Sequence, residues 1–259
     1  MIISHKYKFL FIGLPFSASS AIIKDLHDKY EGKTYLSKHS LYHEFKRLAT
    51  KKEKDYFVFS VLRNPMDIIV TSYFKMKLNP KGNFTNPKLF KENGGHITRS
   101  QRAKYNFIKD NNATFQQYFL KFYKKPYDNL FSLTSGHCDF IIQYKNIDKD
   151  YILALEKVGI SNPTPLPKKN KTIGKDNDIL FYYSSDVRDR AISVFGPFMK
   201  KYNLDFPISW GNVRVSSIDR IKYNLLVFIR KIIKWNFSRQ IKRKSIAGTI
   251  YGDLQRKKD

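Results

Sequence analysis

The stretch Arg63-Asn64-Pro65-Met66-Asp67-Ile68-Ile69-Val70-Thr71-Ser72-Tyr73 puts a cation at the end of an expected strand and a hydroxyl eight residues later. Eight residues make a little over two turns of α-helix, so Thr71 can share a face with the first turn. A guanidinium grips a phosphate through a two-pronged hydrogen bond, and the threonine hydroxyl adds another donor. The same residues also allow a plainer arrangement, with Arg63 paired to Asp67 one helical turn on. A second junction, Gly13-Leu14-Pro15-Phe16-Ser17-Ala18-Ser19-Ser20-Ala21, is rich in small residues and hydroxyls. Such a loop lets backbone amides turn inward around a phosphate-sized anion, at the positive end of the helix that follows. It lacks the Gly-x-x-x-x-Gly-Lys-Ser/Thr pattern of a P-loop. A helix capped by Ser17, Ser19 or Ser20 explains the same residues without a ligand.

These junctions need strands before them and helices after them. Residues 7–13 form an aromatic and aliphatic run ending at Gly-Leu-Pro, which predicts a buried strand, and Ile22, Ile23 and Leu26 then lie at helical spacing. A short strand is expected at 33–37, a helix at 40–49, a strand at 56–62, and a helix from Asn64 with Pro65 in its first turn. Residues 79–112 are polar and turn-rich and read as a long functional loop. A helix at 114–123, a strand at 139–144 and a helix at 149–158 follow, before Pro163, Pro165 and Pro167 interrupt regular structure. The last globular helix covers about 185–202. Alternating strands and helices predict an α/β fold with a mainly parallel central sheet flanked by helices.

The 259 residues suit one domain with a tail: residues 1–213 as the domain and 214–259 as a basic amphipathic helical tail. A composition 42% hydrophobic and 27% charged excludes wholesale disorder. One cysteine, Cys138, excludes an intrachain disulfide framework and a Cys-rich zinc site, and is in keeping with a reducing compartment. Apolar stretches such as 225–229 fall well short of the roughly 20 residues that a spanning helix needs. Lys6 and Lys8 before an apolar run, with a small-residue site at 17–21, resemble a leader, but the apolar centre 9–14 is short and Pro15 follows it. A net charge of +26 favours anionic partners.

The two junctions, in this order, resemble the sulfotransferases that use 3′-phosphoadenosine 5′-phosphosulfate, the carbohydrate-type branch above all. That family's first loop reads Pro-Lys-(Thr/Ser)-(Gly/Ala)-(Gly/Thr)-Thr, where this chain has Pro15-Phe16-Ser17-Ala18-Ser19-Ser20. Its second reads Arg-(Asp/Asn)-Pro with a Ser eight residues after the Arg and a Tyr at ten, matched by Arg63, Asn64, Pro65, Thr71 and Tyr73. Similarity extends over 139–160, the Asn170-Lys171-Thr172 loop and the helix from Tyr182-Tyr183 to Tyr202.

The resemblance implies a P-loop-like sulfotransferase fold and a sulfuryl transfer to a hydroxyl of a glycan or glycolipid, with no metal. Ser17, Ala18, Ser19 and Ser20 would surround the 5′-phosphosulfate, Arg63 and Thr71 would hold the 3′-phosphate, and Asn170 and Lys171 would close over the cofactor. Without the family, the lysines at 168, 169 and 171 read as a solvated linker. The resemblance makes His39 the base for the acceptor proton, work suited to a neutral imidazole; His43 and His96 are the other candidates. Two departures stand out. Phe16 replaces the loop lysine, leaving Lys38, Lys171 and Lys175 as possible substitutes, and Lys145 stands where relatives carry a glutamate. A catalytically weakened nucleotide-binding or membrane-associated accessory protein is the alternative, and a kinase-like phosphoryl transferase lacks its motifs.

In the tail, Ile218, Ile221, Leu225, Phe228, Ile229, Ile232 and Ile233 fall at helical spacing with Arg220, Lys222, Arg230, Lys231 and Lys234 among them. Two placements follow: on an anionic membrane surface, with the protein cytoplasmic and peripheral on the inner face, or with the stripe packed on the domain or a second subunit. Nucleic acid is not an expected partner, since bulk charge comes without a binding motif.

Overall fold

Phe9, Leu10, Phe11 and Ile12 are all buried, and they form the middle strand of the sheet in the computed structural model, which describes residues 1–167, 172–176 and 178–237. The strands are β1 (Ile2–Ser4), β2 (Phe9–Ile12), β3 (Lys33–Thr34), β4 (Phe57–Leu62) and β5 (Phe140–Gln143), in the spatial order β3-β1-β2-β4-β5. β2, β4 and β5 run parallel, with Phe11 opposite Phe59 and Phe59 opposite Phe140. β1 runs antiparallel to both β2 and β3. The sheet is therefore mixed, which corrects the expectation of a mainly parallel one. The cause is β1, three residues joined to β2 by a tight turn, as only an antiparallel pair can be. So short a strand shows no periodicity of its own, and its position between two neighbours makes it a strand.

The helices are α1 (Ser19–Lys29), α2 (Tyr42–Leu48), α3 (Lys51–Lys54), α4 (Pro65–Leu78), α5 (Arg99–Asp110), α6 (Phe115–Phe122), α7 (Ile147–Lys157), α8 (Ser185–Lys201) and α9 (Ser217–Phe237). Successive strand residues point to opposite faces, so both faces of the sheet can be covered. Phe9, Phe11, Phe59 and Val61 meet Ile22, Ile23 and Leu26 of α1 and Tyr151 and Leu155 of α7. Leu10, Ile12, Val58 and Leu62 meet Phe45 of α2, Phe198 of α8, and Tyr223 and Val227 of α9. A third cluster joins α4, α6 and α8 through Met66, Ile69, Phe119, Tyr183 and Phe195.

Local chemistry sets the helix starts. The Asn64 side chain accepts from the Met66 amide at 2.9 Å with Pro65 in the first turn, as the sequence predicts. Thr114 and Gln117 form a reciprocal cap for α6. The same motif, Thr98 with Gln101, starts α5 inside the segment expected to be a loop at 79–112. That expectation fails because α5 buries little beyond Ile108, so its apolar stripe is too thin to read; Tyr105 stacks on Phe84, with centroids 5.5 Å apart. The strand expected at 33–37 ends at Thr34, and Leu36 turns with φ +54°.

α9 does not lay its predicted stripe on the domain. Tyr223 and Val227 are buried, whereas Ile218, Ile221, Leu225, Phe228, Ile229, Ile232 and Ile233 are 42–67% exposed. A separate set of residues, nearly opposite on the helix, makes the contact. No helix among the described residues is long and apolar enough to cross a membrane.

Candidate anion-binding site

The three parallel strands end at one edge of the sheet, and the residue after each strand, Gly13, Arg63 and Tyr144, is delivered there. Ligands of open α/β sheets bind at this carboxyl edge. Arg63 is 8% exposed and held from every side. Its Nε donates to Asp67 Oδ2 at 2.6 Å, Nη1 to the Phe16 carbonyl at 2.5 Å, and Nη2 to Thr71 Oγ1 at 2.8 Å. The guanidinium carbon lies 4.2 Å from the centroid of the Tyr144 ring. The ion pair with Asp67 and the contact with Thr71, alternatives in the sequence, thus coexist. A guanidinium carries five N–H groups; these bonds take three among the described residues and leave two for an anion.

The loop between β2 and α1 is less closed. Phe16 and Ala18 adopt left-handed backbone, with φ +63° and +54°, and Ala18 occupies the N-cap of α1 with no side-chain hydrogen bond. The expectation that a serine caps α1 is therefore overturned. Ser17 Oγ instead donates to the Leu14 carbonyl at 2.8 Å, and Ser20 Oγ accepts from Lys38 Nζ at 2.5 Å. The first amides of a helix have no intrahelical partners; here the Ala21 amide bonds to the Ala18 carbonyl at 2.9 Å, and the alanine side chain covers none of the amides before it. Gly13 permits the tight crossing here: a Cβ on it would lie 3.0 Å from Ser19 Cβ and 3.4 Å from the Lys38 carbonyl oxygen.

Positive charge gathers around this loop. Lys38 is pushed down to about 8, first by burial and then by Lys75 and Lys81. Burial, Arg63 and Lys81 likewise lower Lys75, whose ammonium sits 4.8 Å from the centroid of the Phe16 ring. Burial alone would raise the Asp67 carboxyl, but Arg63 and Lys175 hold it below the usual carboxylate value. Lys175 bonds to Asp67 and reaches Thr71 Oγ1 at 3.5 Å. Cations that repel one another in a partly buried place are relieved when an anion enters.

His39 Nδ1 lies 2.7 Å from the Gly13 carbonyl oxygen. A carbonyl only accepts, so Nδ1 carries the hydrogen and Nε2 is the nitrogen of the neutral ring that takes a proton. The α-amino group of Met1 donates to the carbonyls of Ser37 and Lys38 and helps to hold this segment. His43 lies on α2 near Lys234 of α9, and burial is the main cause of its lowered pKa. His96 is exposed in the segment before α5. Ser17, Ala18, Ser19, Ser20, His39, Arg63 and Thr71 thus share one region, while Asn170 and Lys171 lie outside the described residues. Lys145 faces Asp205 at 3.7 Å on the surface. Among the described residues no three His, Cys, Asp or Glu side chains gather as a metal site.

Sequence reasoning missed Lys75 and Tyr144. Lys75 had a signal: Arg63, Asp67, Thr71 and Lys75 recur every fourth residue, so one face of α4 carries the last three in line with Arg63 just before its cap. Tyr144 was marked only by its place directly after a parallel strand. Compared with known families, curated proteins and solved structures, the chain matches no family model, no curated protein and no solved structure.

Proposed function

We propose that this chain moves a sulfuryl group from 3′-phosphoadenosine 5′-phosphosulfate to a hydroxyl of a carbohydrate, on a fold of the P-loop-like sulfotransferase kind. The observation that carries the reading is the Arg63 guanidinium, which ties the Phe16 carbonyl of one junction to the Thr71 hydroxyl of the other. Two anion-holding junctions become one cradle, which suits a ligand with phosphate at both ends. Arg63 and Thr71 take the 3′-phosphate, while the uncapped amides around Ser17 to Ser20 take the 5′-phosphosulfate. The acceptor oxygen attacks sulfur, and its proton passes to His39 Nε2. The bond from sulfur to the bridging oxygen breaks, and its electron pair leaves on the 5′-phosphate of the nucleotide product.

The leaving phosphate needs a cation, and Phe16 cannot supply it. Lys38, bonded to Ser20 at the start of α1, is placed to do so. A second reading, a nucleotide-binding protein with little or no transfer activity, is favoured by Phe16 itself, whose ring packs under Lys75. Calorimetric titration with 3′-phosphoadenosine 5′-phosphate tests what both readings share: micromolar binding, lost in Arg63→Ala. No heat from the folded wild-type protein would overturn both. Transfer from the sulfated donor to a panel of glycans then separates them.

A further inference from the structure

α9 turns two unlike faces outward and inward. Its inner face is fixed: Tyr223 and Val227 are buried against the sheet and α8, and Arg230 Nη1 bonds to Asp128 Oδ2 at 2.9 Å. Its outer face carries the exposed aliphatic stripe, with Ile221, Leu225 and Phe228 near its middle at 67%, 57% and 61% exposure. A 21-residue helix is about 30 Å long, so the stripe runs the length of a small domain. Monomeric soluble proteins seldom leave so much contiguous apolar surface uncovered.

Charge decides what covers it. On α9, Lys222 lies at the edge of the stripe and Arg220 and Lys231 lie between it and the docked face, Lys234 sits on the docked side beside His43, and Asp219 is the one acidic residue. Beside the helix, a cavity of about 550 Å³ lined by Leu226 and Arg230 also carries Lys121, Lys124 and Lys125. In sequence, Arg239, Lys242, Arg243 and Lys244 follow, outside the described residues. A second copy of a chain with net charge +26 would bring like charges together along this face. An anionic lipid surface meets both features, with headgroups for the cations and acyl chains for the stripe.

We propose that α9 is a membrane-surface helix. It lies in the plane of an anionic bilayer with Ile221, Leu225 and Phe228 in the headgroup boundary, while Tyr223 and Val227 keep the domain attached above. The inference goes beyond sulfuryl transfer and does not depend on it. Each lysine or arginine held near an anionic surface raises partitioning about fivefold, so binding should require acidic lipid and weaken with salt.

Flotation of the full chain with vesicles tests this, using phosphatidylcholine alone and phosphatidylcholine mixed with phosphatidylserine. The wild-type protein should bind the mixed vesicles at least about tenfold more tightly. Replacing Ile221, Leu225 and Phe228 by serine should lose at least about tenfold of that binding. These side chains are exposed, so circular dichroism should show an unchanged fold. Equal binding by the variant would overturn the proposal in favour of adsorption by charge alone. So would a wild-type protein that ignores both vesicles and sediments as a dimer that the variant breaks, which would assign the stripe to a second copy.

Discussion

The two strand-to-helix junctions at the carboxyl edge of the sheet are built to the same plan and finished differently. After β4 the helix is capped by Asn64, its first turn holds Pro65, and Arg63 is locked by Asp67, Phe16 and Thr71. After β2 the helix starts at an alanine in left-handed conformation, with no side-chain cap. The first junction is a rigid clamp whose cation is positioned before any ligand arrives. The second leaves donors unused among the described residues and surrounds them with lysines that repel each other. A preorganised clamp suits binding, and unused donors next to cations suit charge that develops during a reaction.

The largest expected effect separates chemistry from binding. His39→Ala should lower turnover about 100- to 10,000-fold, with affinity for 3′-phosphoadenosine 5′-phosphate nearly intact. If turnover and affinity fell together, the ring would be a structural tie to Gly13 and not the base. Arg63→Ala should act the other way, weakening nucleotide binding roughly 1,000-fold by titration. It should also cost about 2 to 4 kcal/mol in urea denaturation, since among the described residues Asp67 would keep only Lys175.

Lys38→Met should reduce the rate roughly 100- to 1,000-fold. Adding Phe16→Lys to that variant should recover much of the loss if the cation alone matters, and an assay of the double variant decides it. The backbone at Phe16 is left-handed for either residue, so strain does not confuse the comparison.

A smaller effect concerns pH. Lys38 titrates at about 8 in the folded chain against 10.5 when unperturbed. On the proposed reading the charged form holds the anion, so affinity should fall as pH rises through about 8, by up to about tenfold per unit. Binding near that pH should take up a proton, measurable as a buffer-dependent heat. Stability should move in the opposite direction. Between about 8 and 10.5 the unfolded chain binds more protons at Lys38 than the folded one, so the contribution of this group to folding rises with pH. Smallest of all, Ala18→Gly should stabilise the protein by about 1 kcal/mol in thermal melts, because glycine relieves the left-handed cap.

Much of the site was legible because it is local. Arg63, Asp67 and Thr71 lie within nine residues, and a single helix brings them together. The small residues after β2 likewise announced a turn into a helix. What could not be read was how Ser17 and Ser20 use their hydroxyls, because their partners are the Leu14 carbonyl and Lys38, set by the path of the loop. α5 stayed hidden because its cap, buried Ile108 and the aromatic contacts of Tyr105 with Phe84 and of Phe107 with Phe122 hold it, not a broad apolar stripe.

The sequence by itself determined the strands of continuous apolar residues, the two junctions, the starts of α4 and α6, and the amphipathic character of α9. Each rests on interactions within about four residues or on a simple period. Only the tertiary structure decided that β1 enters between β2 and β3, that Lys38, Lys75 and Tyr144 converge on the cradle, and that α9 docks through Tyr223 and Val227 with its strongest stripe outward. Periodicity shows that a helix has an apolar face, but shape and volume at the receiving surface choose which residues fill it. Here Tyr223 and Val227 fit beside Phe198 and Phe45, and the longer stripe does not.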